Sequence, residues 1–266
     1  MRRHPILYYV RYILLSKNFK GKNFDNVGCF NDCNELKDIP QLFFDVNTKI
    51  NILPEMNDFE KATQIAVYLR KNCIIGPGLS LASDKTLEKM LARKGGICSD
   101  FSQVFSIFCF INGIRVKEWA CIDSFYKGKY GHTFNEIYSN QLNQWIAIDS
   151  HKGIYFTNEN NKILPVQELF NNLRIGKPLQ YKFLSDYVPH KIERLAFVYS
   201  KTTIPYILGN YVNITNDYYL NKYQKKYPHF IINLIMIFNR KSSKFVFVMD
   251  NYKFKLLPES FQKLLK

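Results

Sequence analysis

Three residues of this 266-residue chain have side chains that can carry nucleophilic chemistry together: Cys98, His132 and Asp149. Cys98 follows Gly95-Gly96-Ile97 and begins a stretch with the apolar spacing of a helix. The first turn of a helix has unpaired N–H groups and the positive end of the helix dipole, and both favour the thiolate form of cysteine. This position predicts a reactive thiol, although an isolated free cysteine is more often a small buried residue.

His132 and Asp149 end two segments with strand patterning, His132–Tyr138 and Trp145–Asp149, which a polar turn connects. If Tyr138 pairs with Trp145, His132 is the diagonal neighbour of Asp149 on one face of the hairpin. If the register shifts by two residues, the pair lies directly opposite. In either register the carboxylate can fix the tautomer of the imidazole and stabilise its charged form.

The elements that would position these residues follow from the periodicity of the apolar residues. Helical spacing predicts three helices before the hairpin, with Asn112-Gly113 ending the third: Asp58–Asn72, Lys85–Arg93 and Cys98–Ile111. Strands are predicted at Ile114–Cys121 and in the hairpin, and a short helix at Val166–Leu173. Three apolar segments follow as predicted strands, the last two forming a hairpin: Ile192–Tyr199, Phe230–Phe238 and Phe245–Met249. Helices followed by an antiparallel sheet predict an α+β fold.

Four sequence blocks in this order resemble the core of the transglutaminase-like superfamily, in its bacterial form: Gly95–Phe101, Gly113–Val116, Gly131–Glu136 and Trp145–Asp149. The resemblance covers roughly residues 58–156. It implies a papain-like fold, in which a helix that begins at the nucleophilic cysteine packs on an antiparallel sheet bearing the histidine and the aspartate.

The resemblance also implies the role of each residue. Cys98 would be the nucleophile toward an amide or ester carbonyl, His132 the general base and acid, and Asp149 the residue that orients His132. A thioester would form on Cys98, and water or an amine would resolve it. The resemblance implies no cofactor and no metal, since the chain lacks the acidic spacing of a calcium loop and the paired Cys-x-x-Cys motifs of a zinc site.

Substrate-binding residues are predicted from their proximity to the histidine and the aspartate. Tyr130 and Gly131 belong to the segment Tyr126–Gly131 that precedes His132, and such loops often line a cleft. His151 follows Asp149 by two residues and is either a substrate contact or a surface residue. Trp145 is either a contact to substrate or an anchor of the core.

Three regions are predicted along the chain. Residues 1–57 form an amphipathic and irregular N-terminal extension, residues 58–156 the catalytic core, and residues 157–266 a basic, β-rich C-terminal extension. Six cysteines in a chain of this length do not form a disulfide framework. Residues 1–22 lack the unbroken apolar stretch of a signal peptide and favour an amphipathic helix, docked on the protein or on an anionic membrane.

Charge is distributed unevenly between the two halves of the chain. The net charge is +15, and residues 152–266 hold 18 Lys and Arg against 7 Asp and Glu. A basic half favours an acidic polymer or an anionic membrane surface as partner, while a compositional bias toward Lys, Asn and Ile explains the charge equally well. Motifs specific for nucleic acids are absent from the sequence.

Two classes of function follow from these observations. The first is a cytoplasmic thiol hydrolase or acyltransferase that acts on an amide in a peptide or glycan-type (amino-sugar) substrate. The alternative is a non-catalytic transglutaminase-like scaffold, or a membrane-peripheral accessory protein that binds an acidic polymer in cell-surface glycan assembly.

Overall fold

The computed structural model describes residues 5–20, 26–125, 128–186 and 192–265. Its helices are Pro5–Leu15 (α1), Gln41–Asn47 (α2), Asp58–Asn72 (α3), Ser83–Leu91 (α4), Cys98–Ile111 (α5), Val166–Arg174 (α6), Ile192–Lys201 (α7), Asn213–Tyr223 (α8), His229–Phe238 (α9), Tyr252–Lys255 (α10) and Glu259–Leu264 (α11). Its strands are Ser16–Asn18 (β1), Val116–Ile122 (β2), Gly131–Ser139 (β3), Gln144–Asp149 (β4), Ile154–Thr157 (β5), Gln180–Phe183 (β6), Ile204–Gly209 (β7) and Lys244–Phe247 (β8).

The eight strands form one sheet in the order β1-β8-β7-β2-β3-β4-β5-β6. All neighbouring strands are antiparallel except β1 and β8, which are parallel. Tyr138 pairs with Trp145 between β3 and β4, which is the first of the two predicted registers. The α+β class is therefore confirmed, with the helix that begins at Cys98 packed on the antiparallel part of the sheet.

Helix α5 is fixed to β3 by buried polar contacts as well as by apolar packing. The side-chain amide of Asn135, which is fully buried, donates to the Ser106 hydroxyl at 2.9 Å and to the Ser102 carbonyl at 3.2 Å. The Ser102 hydroxyl in turn donates to the Phe134 carbonyl at 3.3 Å. Because buried polar groups are costly when unpaired, these bonds fix the height of α5 relative to β3.

The helices of the core match their predictions closely. Helix α3 has the predicted bounds, and Asn57 caps it by accepting the Glu60 N–H at 2.9 Å while Glu60 accepts the Asn57 N–H. Helix α5 likewise begins at Cys98 and ends at Ile111. A capping box and a strong apolar period specify such helices locally, without help from distant residues.

Two predicted strands in the C-terminal extension are wrong, because the structure has helices there. The segment predicted as strand Ile192–Tyr199 lies in α7, and the segment Phe230–Phe238 lies in α9. The predicted hairpin from Phe230 to Met249 is therefore wrong as well. The C-terminal extension contains more helix than was expected of a β-rich region. A short continuous apolar run does not distinguish a strand from a buried helix, and Pro228 before α9 is a signal of a helix start.

The C-terminal extension nevertheless completes the sheet of the core. Strand β7 pairs with β2, and β8 lies between β7 and β1. On the other side of the sheet, β6 pairs with β5. The core strands are thus flanked on both sides by segments that the sequence analysis assigned to extensions.

The predicted N-terminal extension contains regular structure that packs on the core. Helix α2 buries Phe43 and Val46 in the same apolar cluster as α5. Helix α1 buries Tyr12 and Leu15 against the sheet, in a cluster with Phe245. Parts of the predicted amphipathic segment, residues 1–4 and 21–22, lie outside the described residues. Among the helices that the structure describes, none has the length and apolarity needed to cross a bilayer.

We expect Asn135→Ala to lower the free energy of unfolding by about 1–3 kcal/mol, because the substitution leaves the buried Ser106 hydroxyl without this partner. Urea unfolding followed by circular dichroism measures the change. Asn51→Ala, at an exposed position, is the matched control and should change the free energy of unfolding by less than about 0.5 kcal/mol. Equal stability of the two variants would contradict the anchoring role.

Candidate active site

The start of α5 is shaped by two glycines with positive φ. Gly95 has φ +113° and Gly96 φ +148°, conformations that side chains rarely adopt. A Cβ on Gly96 would also lie 3.3 Å from Met90 Cγ. The chain therefore turns sharply just before Cys98, and Asp100 holds this turn because its Oδ2 accepts the Ile97 N–H at 2.9 Å.

His132 and Asp149 form a buried hydrogen-bonded pair. His132 Nε2 lies 2.6 Å from Asp149 Oδ2, and both side chains are almost completely excluded from solvent. The same carboxylate accepts the Tyr199 hydroxyl at 2.8 Å on Oδ2 and the Lys152 N–H at 2.9 Å on Oδ1. Asp149 is thus held by three donors, and its orientation toward His132 is fixed.

The Cys98 thiol contacts both the imidazole and the backbone of β3. Its sulfur is hydrogen bonded to His132 and to the backbone N–H of Thr133. Because Nε2 of His132 is engaged by Asp149, the ring nitrogen that faces the sulfur is Nδ1. The three residues therefore form one continuous chain, from the partly exposed thiol to the buried carboxylate.

The charges of this chain support one another. Burial raises the pKa of the Cys98 thiol, but the hydrogen bond and the positive charge of His132 outweigh it and lower the pKa below its ordinary value. For His132, burial lowers the pKa, and the charge of Asp149 together with hydrogen bonds to Asp149 and Cys98 raises it to about 10. Burial raises the pKa of Asp149, but the charge of His132 and its hydrogen bond lower it by more. The pKa of Asp149 is therefore well below the ordinary range. The arrangement favours a thiolate–imidazolium pair at neutral pH.

His151 is buried beside this pair. It is 7% exposed, so the alternative of a surface residue is wrong. Its ring packs edge-on against Phe101 at 5.3 Å between centroids and lies 5.7 Å from the ring of His132. Burial lowers the pKa of His151 to about 3, which keeps the ring neutral and leaves the positive charge on His132.

The other predicted binding residues are divided between the two ends of the hairpin. Tyr130 is partly exposed next to His132, with its ring 5.4 Å from that of Phe197, and Gly131 is exposed at the start of β3. Part of the predicted loop, residues 126–127, lies outside the described residues. Trp145 lies at the far end of the hairpin, where Lys117 Nζ is 3.7 Å from the centre of its ring. The structure therefore does not bring Trp145 together with Cys98.

Tyr199 is the site residue that the sequence analysis missed. It is 1% exposed and donates to Asp149, although it lies 50 residues further along the chain. A tyrosine in an apolar segment carries no local signal of such a contact, and the segment was predicted as a strand. The amphipathic spacing of α7 could have indicated a helix, but not the hydroxyl's partner.

Three donor groups at the site are close enough to share a cation. One ligand atom each of His132, Asp149 and His151 lies within 4.8 Å of the others. A cation bound to His132 Nε2 would replace the hydrogen bond to Asp149 at 2.6 Å. The geometry of His132 and Asp149 is therefore that of a hydrogen-bonded pair, in which the carboxylate orients the imidazole.

A comparison with protein families bears on the fold of the chain. Residues 47–150 match the model of the transglutaminase-like superfamily, so this part of the chain is similar to a transglutaminase-like core. The superfamily has a papain-like fold, and its members are usually thiol-dependent acyltransferases or hydrolases. The match ends one residue after Asp149 and includes Cys98 and His132. No curated protein matches the chain.

We expect Tyr199→Phe to lower the free energy of unfolding by about 0.5–1.5 kcal/mol, because it removes one of three hydrogen bonds to a buried carboxylate. Tyr227→Phe alters an exposed ring and serves as the control, with no measurable change expected. Both values come from thermal or urea unfolding at pH 7. A Tyr199→Phe protein as stable as the Tyr227→Phe protein would contradict the contact.

Proposed function

We propose that this protein is a cysteine-dependent acyl-transfer enzyme, in which Cys98, His132 and Asp149 form the catalytic triad. The observation that carries the proposal is the continuous chain of hydrogen bonds from the thiol to the buried carboxylate. The substrate would be an amide of a peptide or amino-sugar compound.

In the first half of the reaction, the Cys98 thiolate attacks the carbonyl carbon and forms a C–S bond. The carbonyl electrons move to oxygen, and a tetrahedral intermediate results. When this intermediate collapses, the C–N bond breaks and His132 gives its Nδ1 proton to the departing amine. The products of this half are a free amine, a thioester on Cys98 and a neutral His132.

In the second half, neutral His132 takes a proton from water or from an acceptor amine as this nucleophile attacks the thioester. The C–S bond then breaks, and the thiolate–imidazolium pair is restored. Asp149 remains ionised throughout and stabilises the imidazolium, as carboxylates do in related triads.

The negative oxygen of the intermediate needs hydrogen-bond donors. The backbone N–H of Cys98 lies in the first turn of α5, where N–H groups have no acceptor within the helix. It is therefore the donor that we assign to the oxyanion, and the helix dipole adds to the stabilisation.

The pH dependence of thiol reactivity tests the pairing of Cys98 with His132. We expect the rate of alkylation of Cys98 by iodoacetamide to reach its plateau at a pH below the ordinary thiol pKa of about 8.5. In His132→Ala the two contributions of His132 that lower the pKa of Cys98 disappear, while burial and the weaker effect of the Thr133 N–H remain, so the apparent pKa should rise above about 8.5. The rate is measured by mass spectrometry of the Cys98 peptide at a series of pH values.

Half-buried Cys33 provides the internal control, since the pKa of its thiol is raised by burial and is affected by Asp32 and the Asn210 backbone rather than by a histidine. Its profile should be the same in wild type and in His132→Ala. An ordinary profile for Cys98 in both proteins would overturn the proposed function and leave a scaffold without an activated thiol.

Acylation by an activated ester tests the triad as a unit. With p-nitrophenyl acetate, the thiolate forms an acetyl thioester and expels p-nitrophenolate, so wild type should release about one equivalent in a burst. Cys98→Ala should show no burst. Asp149→Asn should slow the burst on the order of 10²-fold or more, because an amide cannot stabilise the imidazolium. A full burst from Cys98→Ala would refute the assignment of the nucleophile.

A further inference from the structure

A cavity of about 240 Å³ is lined by residues that neighbour Cys98 in the chain and in space. Ser99, which follows the nucleophile, and Thr133, whose N–H donates to the sulfur, both contribute to its lining. Its remaining walls come from β2, β7, α8, α9 and α1, with Glu118, Tyr206 and Tyr211 among the residues that contribute. The cavity is therefore placed to hold a group of the substrate next to the reacting carbonyl.

The carboxyl of Glu118 lines this cavity without a contact that would give it a structural role in the fold. The residue lies in the middle of β2, in register with Asn135 of β3, on the face that α5 covers. Among the described residues, its carboxyl has no hydrogen-bond or ion-pair partner. By comparison, Asp100 in the same cavity accepts the N–H groups of Ile97 and Leu79. Glu118 is half-buried, and its unpaired carboxyl lines the cavity, where a ligand can form a hydrogen bond with it.

The electrostatic surroundings of Glu118 indicate the kind of ligand. Burial, together with the negative charges of Cys98 and Asp100, raises the pKa of Glu118 to about 8. The positive groups in the lining, Arg11 and His229, come from helices α1 and α9. Burial and the charge of Arg11 lower the pKa of His229, so it contributes little positive charge. Of the charged groups that line the cavity, Glu118 is the carboxyl that has no partner among the described residues, while the Arg11 guanidinium packs over the Phe245 ring at 5.1 Å.

We propose that Glu118 is a specificity-determining residue that binds a cationic nitrogen of the substrate, an alkylammonium or guanidinium group. Such a group would ionise the carboxyl and form a charge-assisted hydrogen bond with it in a partly buried setting. A substrate with an anionic group at the same position would instead face Glu118 and Asp100 and be rejected. The protein as a whole is strongly basic and would attract anions. Glu118 would instead favour a cationic group at this one position.

This inference rests on the proposed function, because it needs Cys98 to be the nucleophile beside the cavity. The cationic nitrogen has two possible sources: the acyl donor, near the carbonyl that Cys98 attacks, or the amine that resolves the thioester. Both present the same chemistry to Glu118, and the second arm of the experiment separates them.

The first arm compares three methanethiosulfonates that differ in charge: 2-aminoethyl, 2-hydroxyethyl and 2-sulfonatoethyl. In each reaction the Cys98 thiolate attacks the sulfur, a disulfide forms and methanesulfinate leaves. All proteins compared carry Cys33→Ser, which removes the half-buried thiol of Cys33. In this background we expect the aminoethyl reagent to modify Cys98 about tenfold faster than the hydroxyethyl reagent. In Glu118→Gln this ratio should fall to about one, while the exposed-site control Glu88→Gln should keep the wild-type ratio.

The outcomes of this arm separate the two proposals. A fast hydroxyethyl reaction without a preference for the cation in wild type would overturn the role of Glu118 and leave the triad intact. A preference for the aminoethyl reagent that persists in Glu118→Gln, or a preference for the sulfonatoethyl reagent, would also overturn the role of Glu118. A slow reaction with all three reagents, with an ordinary thiol pKa, would instead refute the proposed function.

The second arm uses p-nitrophenyl esters. If the acyl donor carries the cation, the 6-aminohexanoate ester should acylate Cys98 faster than the hexanoate ester, and Glu118→Gln should abolish the difference. If the acceptor carries it, butylamine but not butanol should speed the breakdown of the hexanoyl enzyme, again only with Glu118 present. Failure of both comparisons in wild type would contradict the inference.

Discussion

The hydrogen bond between His132 and Asp149 is the interaction on which the site depends. At 2.6 Å and out of contact with solvent, it holds a positive imidazole where burial alone would make the ring neutral. That charge in turn lowers the pKa of the Cys98 thiol against the opposing effect of its own burial. His151 is neutral and adds no competing positive charge beside His132. The Tyr199 hydroxyl stabilises the Asp149 carboxylate by donating a hydrogen bond to it.

The fold serves this interaction by joining elements from distant parts of the chain. Helix α5 supplies the thiol, and Asn135 of β3 fixes that helix to the strand that carries His132. Strand β4 supplies Asp149, and α7 of the C-terminal extension supplies Tyr199. The part of the chain that matches the family model, residues 47–150, thus contains only some of the strands of the sheet. Its sheet is continued by β7 and β8, and its cavity is closed by α8 and α9.

The parts of the fold with strong local signals could be predicted from the sequence. Helices α3 and α5 have regular apolar spacing, and the β3–β4 hairpin follows from a short polar turn between alternating residues, with two registers left open by the sequence. The proximity of His132 to Asp149 follows from either register, and the structure has the one that pairs Tyr138 with Trp145. By contrast, the apolar run of α9 fits a strand as well as a helix, and its neighbours in space decide the outcome. The contact of Tyr199 and the unpaired carboxyl of Glu118 depend on segments far apart in sequence, so no local pattern encodes them.

The protonation state of His132 tests the central claim most directly. Nitrogen-15 NMR of the labelled protein reports whether Nδ1 and Nε2 both carry protons, and a His132→Gln variant assigns the signal among the five histidines. We expect an imidazolium at pH 8 in wild type, losing its proton only as the pH approaches about 10, and a lower pKa in Cys98→Ala. A neutral His132 ring at pH 8, or a pKa unchanged by Cys98→Ala, would contradict the thiolate–imidazolium pair.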